Sequence, residues 1–237
     1  MLVDNKFIFL SIPKTASSSF HISCVRNNLE IKFAKESNNN QYYDLSLSNE
    51  DLIKSVTHPH EPIHELDMTF GGDCDIIAIK RDRHQRFLSL WKFVIQRSKL
   101  YGDDVYKIVK SLTIDDILTF NPSILNKTEI HNYINVFLIK HDLINKVDEH
   151  FRNLLFILWQ PTVMWHNNND RIMWFDFNKL SEMEEWVSNK LNKSFKLLNV
   201  NSSKELDFNL TIYNNFIENY NKIYNTFDLH KNKKTII

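Results

Sequence analysis

The sequence predicts an α/β fold, a single domain in which helices flank a central parallel β-sheet. Two short apolar runs, Phe7–Ile12 and Asp75–Lys80, indicate buried strands, and a helical pattern follows each of them directly. This alternation of strand and helix is typical of parallel sheets. The chain has 237 residues, 43% of them hydrophobic, and is long enough to bury a core without disulfides. We therefore expect one domain over residues 1–237, with a frayed tail from about residue 230.

The helical patterns after these two strands place polar residues at one edge of the predicted sheet. Ser17 or Ser18 can cap a helix that runs to about Asn28. A second helix, from about His84 to Lys99, has an apolar face made of Phe87, Leu88, Trp91, Val94 and Ile95. Because parallel strands share their carboxyl edge, the turns Lys14–Ser19 and Lys80–Arg86 are expected to face one crevice.

Further elements are predicted along the rest of the chain. Strands are expected at Ile53–Thr57 and Ile172–Phe177, and a polar loop at Ser37–Glu50. Helices are expected at Lys146–Leu158 and Ser181–Leu191, and Thr113 with Asp116 resembles a capping pattern. Aromatic and apolar residues at helical spacing predict a core-facing C-terminal helix: Tyr213, Phe216, Ile217, Tyr220, Tyr224 and Phe227.

Charge and cysteine content exclude several classes of partner. Basic and acidic residues both number 29, so no net charge steers the chain toward nucleic acid or anionic lipid, and any anion site must be local. Cys24 and Cys74 give neither a disulfide framework nor a metal-binding spacing, which suits a reducing compartment. No signal peptide is apparent, and no apolar run approaches the roughly 20 residues that span a bilayer. We expect a soluble protein, cytoplasmic or otherwise intracellular.

The first chemistry-bearing motif follows the first strand, as Pro13-Lys14-Thr15-Ala16-Ser17-Ser18-Ser19. A strand, a tight turn and a helix N-terminus together bind anions through free backbone N–H groups and the positive helix end. Lys14-Thr15 matches the last pair of the nucleoside-triphosphate motif G-x-x-x-x-G-K-[ST], but Ile8 and Pro13 occupy its two glycine positions. A loop that grips one terminal anionic group is therefore favoured over a kinase-type triphosphate site.

The second motif follows the second strand, as Arg81-Asp82-Arg83-His84-Gln85-Arg86-Phe87-Leu88-Ser89. Arg81 and Ser89 could together hold one phosphate, and Arg86 lies one helical turn after the strand. The two motifs together describe a ligand with two separate anionic ends. Taken alone, the basic residues from 80 to 86 are equally compatible with a solvated basic face or a nucleic-acid patch.

In this order and spacing the two motifs resemble those of the sulfotransferase family, in particular its carbohydrate O-sulfotransferase branch. The family's PKTGGTS-type loop binds the 5′-phosphosulfate of 3′-phosphoadenosine 5′-phosphosulfate (PAPS), and its RDPxxRxxS-type segment binds the 3′-phosphate. The resemblance implies a P-loop-NTPase-like sulfotransferase fold and a donor site made by Lys14, Thr15, Ala16, Ser17, Ser18, Ser19, Arg81, Arg86 and Ser89. It implies that 3′-phosphoadenosine 5′-phosphate (PAP) is released and that no metal is required.

Two positions depart from the family pattern. Ser17 stands where the family usually has glycine, so strain is expected there if that residue needs a positive φ, and Arg83 replaces the usual proline. These departures motivate an alternative, a catalytically degenerate module that binds PAP and transfers nothing. A third alternative, a nucleotide-dependent phosphotransferase, is disfavoured by the missing glycines.

Sulfuryl transfer requires a base, a group that stabilises the leaving phosphate, and an acceptor hydroxyl. The resemblance favours Lys14 for the leaving group and His58 for the base, with His60, His64, Glu61 and Glu65 as alternatives. It favours a carbohydrate acceptor over tyrosine or a small alcohol. Trp159, Trp165 and Trp174 could stack on sugar rings, although tryptophans in apolar surroundings are more often core residues. The absence of a secretory signal, unlike the Golgi setting of animal relatives, favours a bacterial or viral source.

Overall fold

The structure is a computed structural model that describes residues 1–35, 41–49, 51–52, 60–71, 73–112, 116–117, 127–160, 163–167 and 169–198. The described residues divide into two compact units, one of residues 1–82 and 163–198 and one of residues 83–160. None of the described helices is long and apolar enough to cross a membrane.

The first unit contains a five-stranded mixed sheet in the order β3-β1-β2-β4-β5. Its strands are β1 (Leu2–Val3), β2 (Phe7–Leu10), β3 (Ile31–Lys32), β4 (Asp75–Lys80) and β5 (Ile172–Asp176). Its helices are α1 (Ser17–Arg26), α2 (Ile63–Phe70), the single turn α7 (Val163–His166) and α8 (Leu180–Leu191), and a 3₁₀ turn, Phe177–Lys179, precedes α8.

The three longest strands run parallel, as the sequence predicts. Residues Phe7–Leu10 of β2 pair with Asp75–Ala78 of β4, and β4 pairs along Ile76–Lys80 with β5. The sheet as a whole is mixed rather than parallel, because β1 pairs antiparallel with both β2 and β3. The mixed pairing arises because the chain reverses tightly after β1, and a short reversal can join only antiparallel strands.

Side chains alternate across the sheet and build a core on each face. One face carries Phe7, Phe9, Ile77, Ile79 and Phe175, which pack against α1 and α8. The other face carries Ile8, Leu10, Ile12, Ile76, Ala78 and Ile172, which pack against α2 and Trp165. Because β2 and β4 are covered on both faces, they lack the polar alternation of a solvent-facing strand.

Helix α1 is fixed from its outer side by the segment 41–49, part of the predicted polar loop. The Arg26 guanidinium donates to Asn49 Oδ1 at 2.9 Å and to the carbonyl oxygens of Leu45 and Leu47. His21 Nε2 lies 3.0 Å from the Tyr43 hydroxyl, and burial raises the pKa of Tyr43 to about 12. The helix that begins at the lysine-containing turn is therefore held on both sides.

The second unit is helical in its described part. It contains α3 (Arg83–Ser98), α4 (Asp103–Ser111), α5 (Lys127–Lys140) and α6 (Glu149–Trp159), with a 3₁₀ turn at Lys99–Tyr101. Asp148 caps α6 by accepting from Phe151 N at 2.9 Å and also accepts from the Tyr101 hydroxyl at 2.6 Å. Trp159 is only 5% exposed and donates from Nε1 to the Ile117 carbonyl, so it is a core residue.

Most predicted elements that fall on described residues are confirmed, with small shifts at their ends. The helices predicted near Ser17, from about His84 and from Ser181 are α1, α3 and α8, and the helix predicted at Lys146–Leu158 begins later, at Glu149. The prediction that Ser17 or Ser18 caps α1 is wrong, because Ala16 holds the N-cap position. Leu88 is only half-buried, whereas Phe87, Trp91, Val94 and Ile95 are buried as predicted. The predictions for Ile53–Thr57, Thr113, the C-terminal aromatic helix and the tail lie outside the described residues.

Candidate functional site

The loop after β2 is a tight turn with an unusual backbone. Lys14 and Ala16 both have a positive φ, 64° and 62°. Thr15, between them, is buried, and its hydroxyl donates to the Ile12 carbonyl at 2.8 Å. A left-handed conformation costs a non-glycine residue about 1–2 kcal/mol, so the contacts around this loop hold it in a strained state. Such strain is concentrated at binding and catalytic loops.

The condition under which strain was expected at Ser17, a positive φ at that residue, is not met. Ser17 is the first residue of α1 and is buried, while the left-handed residue is the preceding Ala16, at the N-cap position. A serine side chain is compatible with helical φ, so replacing glycine at position 17 does not distort the loop.

We predict that Ala16→Gly stabilises the protein by about 0.5–1 kcal/mol, because glycine adopts a left-handed φ without steric cost. The matched variant Ser17→Gly should instead destabilise it by about 0.5 kcal/mol, because glycine is a poor helix residue. Urea unfolding of the two variants measures both changes. Equal signs for the two would contradict the placement of the strain at Ala16.

The N-terminus of α1 presents backbone donors at the end of this loop. The first hydrogen bond of the helix runs from Phe20 N to Ala16 O at 2.9 Å, so the N–H groups of Ser17, Ser18 and Ser19 precede the helical ladder. Ala16, at the N-cap position, has no side-chain oxygen to cap them, and the first turn contains no acidic residue. The positive end of the helix dipole lies at the same point, and the combination favours an anion.

Arg81, from the second motif, contacts the lysine-containing loop directly. Its Nη1 donates to the Lys14 carbonyl at 3.0 Å, and its guanidinium carbon lies 4.3 Å from the centre of the Phe177 ring. The register explains the contact: Leu10 pairs with Ala78, so Pro13 and Arg81, each three residues further on, leave the same edge of the sheet. The predicted approach of the two motifs is therefore observed at Lys14 and Arg81.

Phe177 is a site residue that the sequence analysis missed. It follows β5 directly, in the 3₁₀ turn, and its ring supports the Arg81 guanidinium. A cation over an aromatic ring gains about 0.5–1 kcal/mol, and more when desolvated. The available signal was an aromatic residue at the end of the predicted strand Ile172–Phe177.

Arg86 and Ser89 lie on α3, in the second unit. Arg86 is 1% exposed and Ser89 is also buried. They are three residues apart and so share one face of the helix. A buried guanidinium must be compensated by charge or hydrogen bonds. Their assignment to an anion site stays a prediction from the motif.

The predicted base, His58, lies outside the described residues, whereas His60 is described. His60 Nδ1 lies 2.8 Å from the Ser11 carbonyl, directly after β2, and its ring meets Trp165 edge-on. Because carbonyls accept, Nδ1 carries the proton in this contact. His64 is exposed on α2.

The two glutamate candidates make structural contacts. Glu61 is buried and accepts from the Lys35 backbone N–H at 3.1 Å. Glu65 forms an ion pair with the Lys35 side chain at 3.7 Å. Among the described histidines and carboxylates of this segment, His60 is the one that contacts the carboxyl end of β2.

Metal ligation is not indicated among the described residues, nor is thiol chemistry at Cys24. No group of three or more His, Cys, Asp or Glu residues there could hold a metal ion. Cys24 is fully buried, and burial raises the pKa of its thiol, which keeps it protonated and inert.

Comparison of the chain with protein-family models, with curated proteins and with solved structures finds no match.

Proposed function

We propose that this chain is a sulfotransferase, which transfers the sulfuryl group of PAPS to a hydroxyl group of a carbohydrate acceptor and releases PAP. One observation carries the proposal: the Arg81 guanidinium bonds to the Lys14 carbonyl at 3.0 Å, so the two anion-binding motifs meet at one edge of the sheet. In the proposed fold, of P-loop-NTPase-like sulfotransferase type, that edge is the donor site.

The loop and the start of α1 suit the 5′-phosphosulfate end of the donor. The N–H groups of Ser17, Ser18 and Ser19 and the Lys14 ammonium supply donors and positive charge around one point. Thr15 and Ala16 form the part of the turn that orients these donors. As the bond to the bridging oxygen breaks, negative charge grows on the departing phosphate, and Lys14 stabilises that charge.

Arg81 suits the 3′-phosphate. A guanidinium carries five N–H donors in a planar fork, so one bond to the Lys14 carbonyl is compatible with further bonds to phosphate oxygens. The proposal assigns Arg86 and Ser89 to the same phosphate on the strength of the motif. Arg81 then couples the two ends of the nucleotide, because it contacts one phosphate and orients the loop that holds the other.

The acceptor hydroxyl must lose a proton as it attacks the sulfur. We assign that proton to a histidine of the segment 58–64, with His58 the choice of the sequence motif. His60, whose ring lies beside Ser11, is the alternative with the support of a described contact. The transferred group is a sulfuryl group, and the donor and acceptor oxygens lie in line on either side of its sulfur.

Thermal unfolding in the presence of PAP, ADP or ATP with Mg²⁺ tests the nucleotide assignment. PAP at about 100 times its Kd should stabilise the protein by about 2.7 kcal/mol. For a chain of this size that is a rise in Tm of about 5–10 °C. ADP, which lacks the 3′-phosphate, should give a smaller rise.

Stabilisation by ATP with Mg²⁺ but not by PAP would favour the phosphotransferase instead. Stabilisation by PAP without any turnover of PAPS would identify the chain as a non-catalytic nucleotide-binding module.

A further inference from the structure

Two pairs of rings lie on one face of the first unit, and a single helical turn links them. The His60 ring lies 5.9 Å from the Trp165 ring, and the His166 ring lies 5.0 Å from the Trp174 ring. Both contacts are edge-to-face, at 69° and 86°. Trp165 and His166 are neighbours in α7. We call His60, Trp165, His166 and Trp174 the aromatic row.

The aromatic row begins beside the candidate donor loop and ends at β5. His60 contacts the carbonyl of Ser11, two residues before Pro13. At the other end, Trp174 lies on β5 opposite Ala78 of β4. Alternation puts Trp174 on the same face as Ile172, which packs with Trp165 in the core. The aromatic row therefore lies on the face of the sheet that α2 covers, and its His60 end is at the carboxyl edge of the sheet.

The three candidate tryptophans differ in how much of their side chains is exposed. Trp165 is 7% exposed, whereas Trp174 is 38% exposed, although both lie on the same face. Trp174 thus exposes a large indole to solvent next to a core in which the neighbouring apolar side chains are buried, which is uncommon for tryptophan. Trp165 adds a polar feature: its Nε1 is buried and has no hydrogen-bond partner among the described residues. A buried indole N–H usually finds an acceptor oxygen.

Opposite charges border the exposed indole. Lys80 and Asp176 pair across β4 and β5, two residues beyond Ala78 and Trp174, so alternation puts both on the same face as Trp174. Both are exposed. A flat apolar ring edged by a cation donor and a carboxylate acceptor matches a molecule that has both a C–H face and ring hydroxyls. Asp176 Oδ1 accepts from the Asn178 N–H at 2.7 Å, and a carboxylate oxygen can accept more than one hydrogen bond.

We propose that the aromatic row is the acceptor subsite, where Trp174 stacks against the C–H face of a sugar ring and Lys80 and Asp176 bond its hydroxyls. The inference rests on the proposed function and specifies where its acceptor binds. Trp174 lies three residues before Phe177, which supports Arg81 and packs with the core on the opposite face of the sheet, and the two residues are about 10 Å apart along the chain. A small alcohol at the donor loop would not reach the indole, so the acceptor is an oligosaccharide of at least two or three sugars.

Two variants of neighbouring residues test the subsite. Trp174→Ala removes the ring, and Met173→Ala truncates a side chain on the opposite face of the same strand that is similarly exposed, at 43%. Each protein, saturated with PAP, is applied to an array of unsulfated oligosaccharides that also carries tyrosine-containing peptides. We expect wild type and Met173→Ala to bind the same oligosaccharides, and Trp174→Ala to bind them at least about tenfold more weakly. Trp174→Phe, which keeps a smaller ring, should fall between them.

Stabilisation by PAP serves as the independent readout of folding and of the donor site. It should be the same for wild type, Trp174→Ala and Met173→Ala. Equal glycan binding by Trp174→Ala and wild type would overturn the subsite, and binding of the peptides or of no glycan would overturn the carbohydrate acceptor. If PAP stabilises none of the proteins while glycan binding still depends on Trp174, the proposed function fails and the carbohydrate surface stands.

Discussion

Arg81→Ala is expected to weaken PAP binding by about 10- to 100-fold. A hydrogen bond to a charged group contributes about 1.5–3 kcal/mol, and each 1.4 kcal/mol is a factor of ten in affinity. ADP affinity should fall less. It should still fall, because the same guanidinium donates to the Lys14 carbonyl and stabilises the loop that holds the other phosphate. Calorimetric titration of both nucleotides measures the two losses.

Two further variants separate the charge of Arg81 from its geometry. Arg81→Lys keeps the positive charge but loses the planar fork, so its PAP affinity should lie between those of wild type and Arg81→Ala. Arg171→Ala is the matched control. It removes an exposed arginine of the same unit that donates to the Cys74 carbonyl and pairs with Asp67, before the start of β5. Equal losses of PAP and ADP affinity in Arg81→Ala would contradict the assignment of Arg81 to the 3′-phosphate.

Lys14→Ala is expected to lower the rate of sulfuryl transfer by about 10²–10³-fold while weakening PAP binding much less. A donor aimed at developing charge contributes mostly in the transition state, and its removal has an effect of this size. The rate at which ³⁵S from labelled PAPS enters an acceptor oligosaccharide measures the change, and calorimetry with PAP measures ground-state binding.

The control for Lys14→Ala is Lys196→Ala. Lys196 is an exposed lysine of the same unit, and its ion pair with Glu184, 2.8 Å long, lies on the surface. Its loss should leave both the rate and PAP binding unchanged. An unchanged transfer rate in Lys14→Ala would remove Lys14 as the group that stabilises the leaving phosphate.

The strands and helices that carry the two motifs could be predicted from the sequence because their patterns are strong and local. Asp75–Lys80 has four consecutive buried residues, and the strand has the predicted bounds. The loop residues follow directly from those strands, which is why Lys14 and Arg81 could be expected at one edge. Their hydrogen bond is the consequence of parallel pairing between β2 and β4.

The details that could not be predicted depend on contacts distant in sequence or on very short elements. Strands β1 and β3 have two residues each, too few for any periodicity, so the antiparallel part of the sheet gave no signal. The left-handed backbone falls at Ala16 rather than Ser17 because the helix begins at Ser17, one residue earlier than a left-handed residue at position 17 would allow. The exposure of Trp174 depends on its position on β5, the last strand in the order of the described sheet, which composition does not encode.

Transfer of ³⁵S from labelled PAPS to oligosaccharides by the wild-type protein is the decisive test of the sulfotransferase assignment. We predict label in the oligosaccharide fraction, one PAP released for each sulfuryl group transferred, and a rate about 10²–10³-fold lower for both in Lys14→Ala. Oligosaccharides that bind the protein on the array are the acceptors to use. PAPS that stays intact with these acceptors, in the presence of folded protein, would contradict the assignment of this chain as a sulfotransferase.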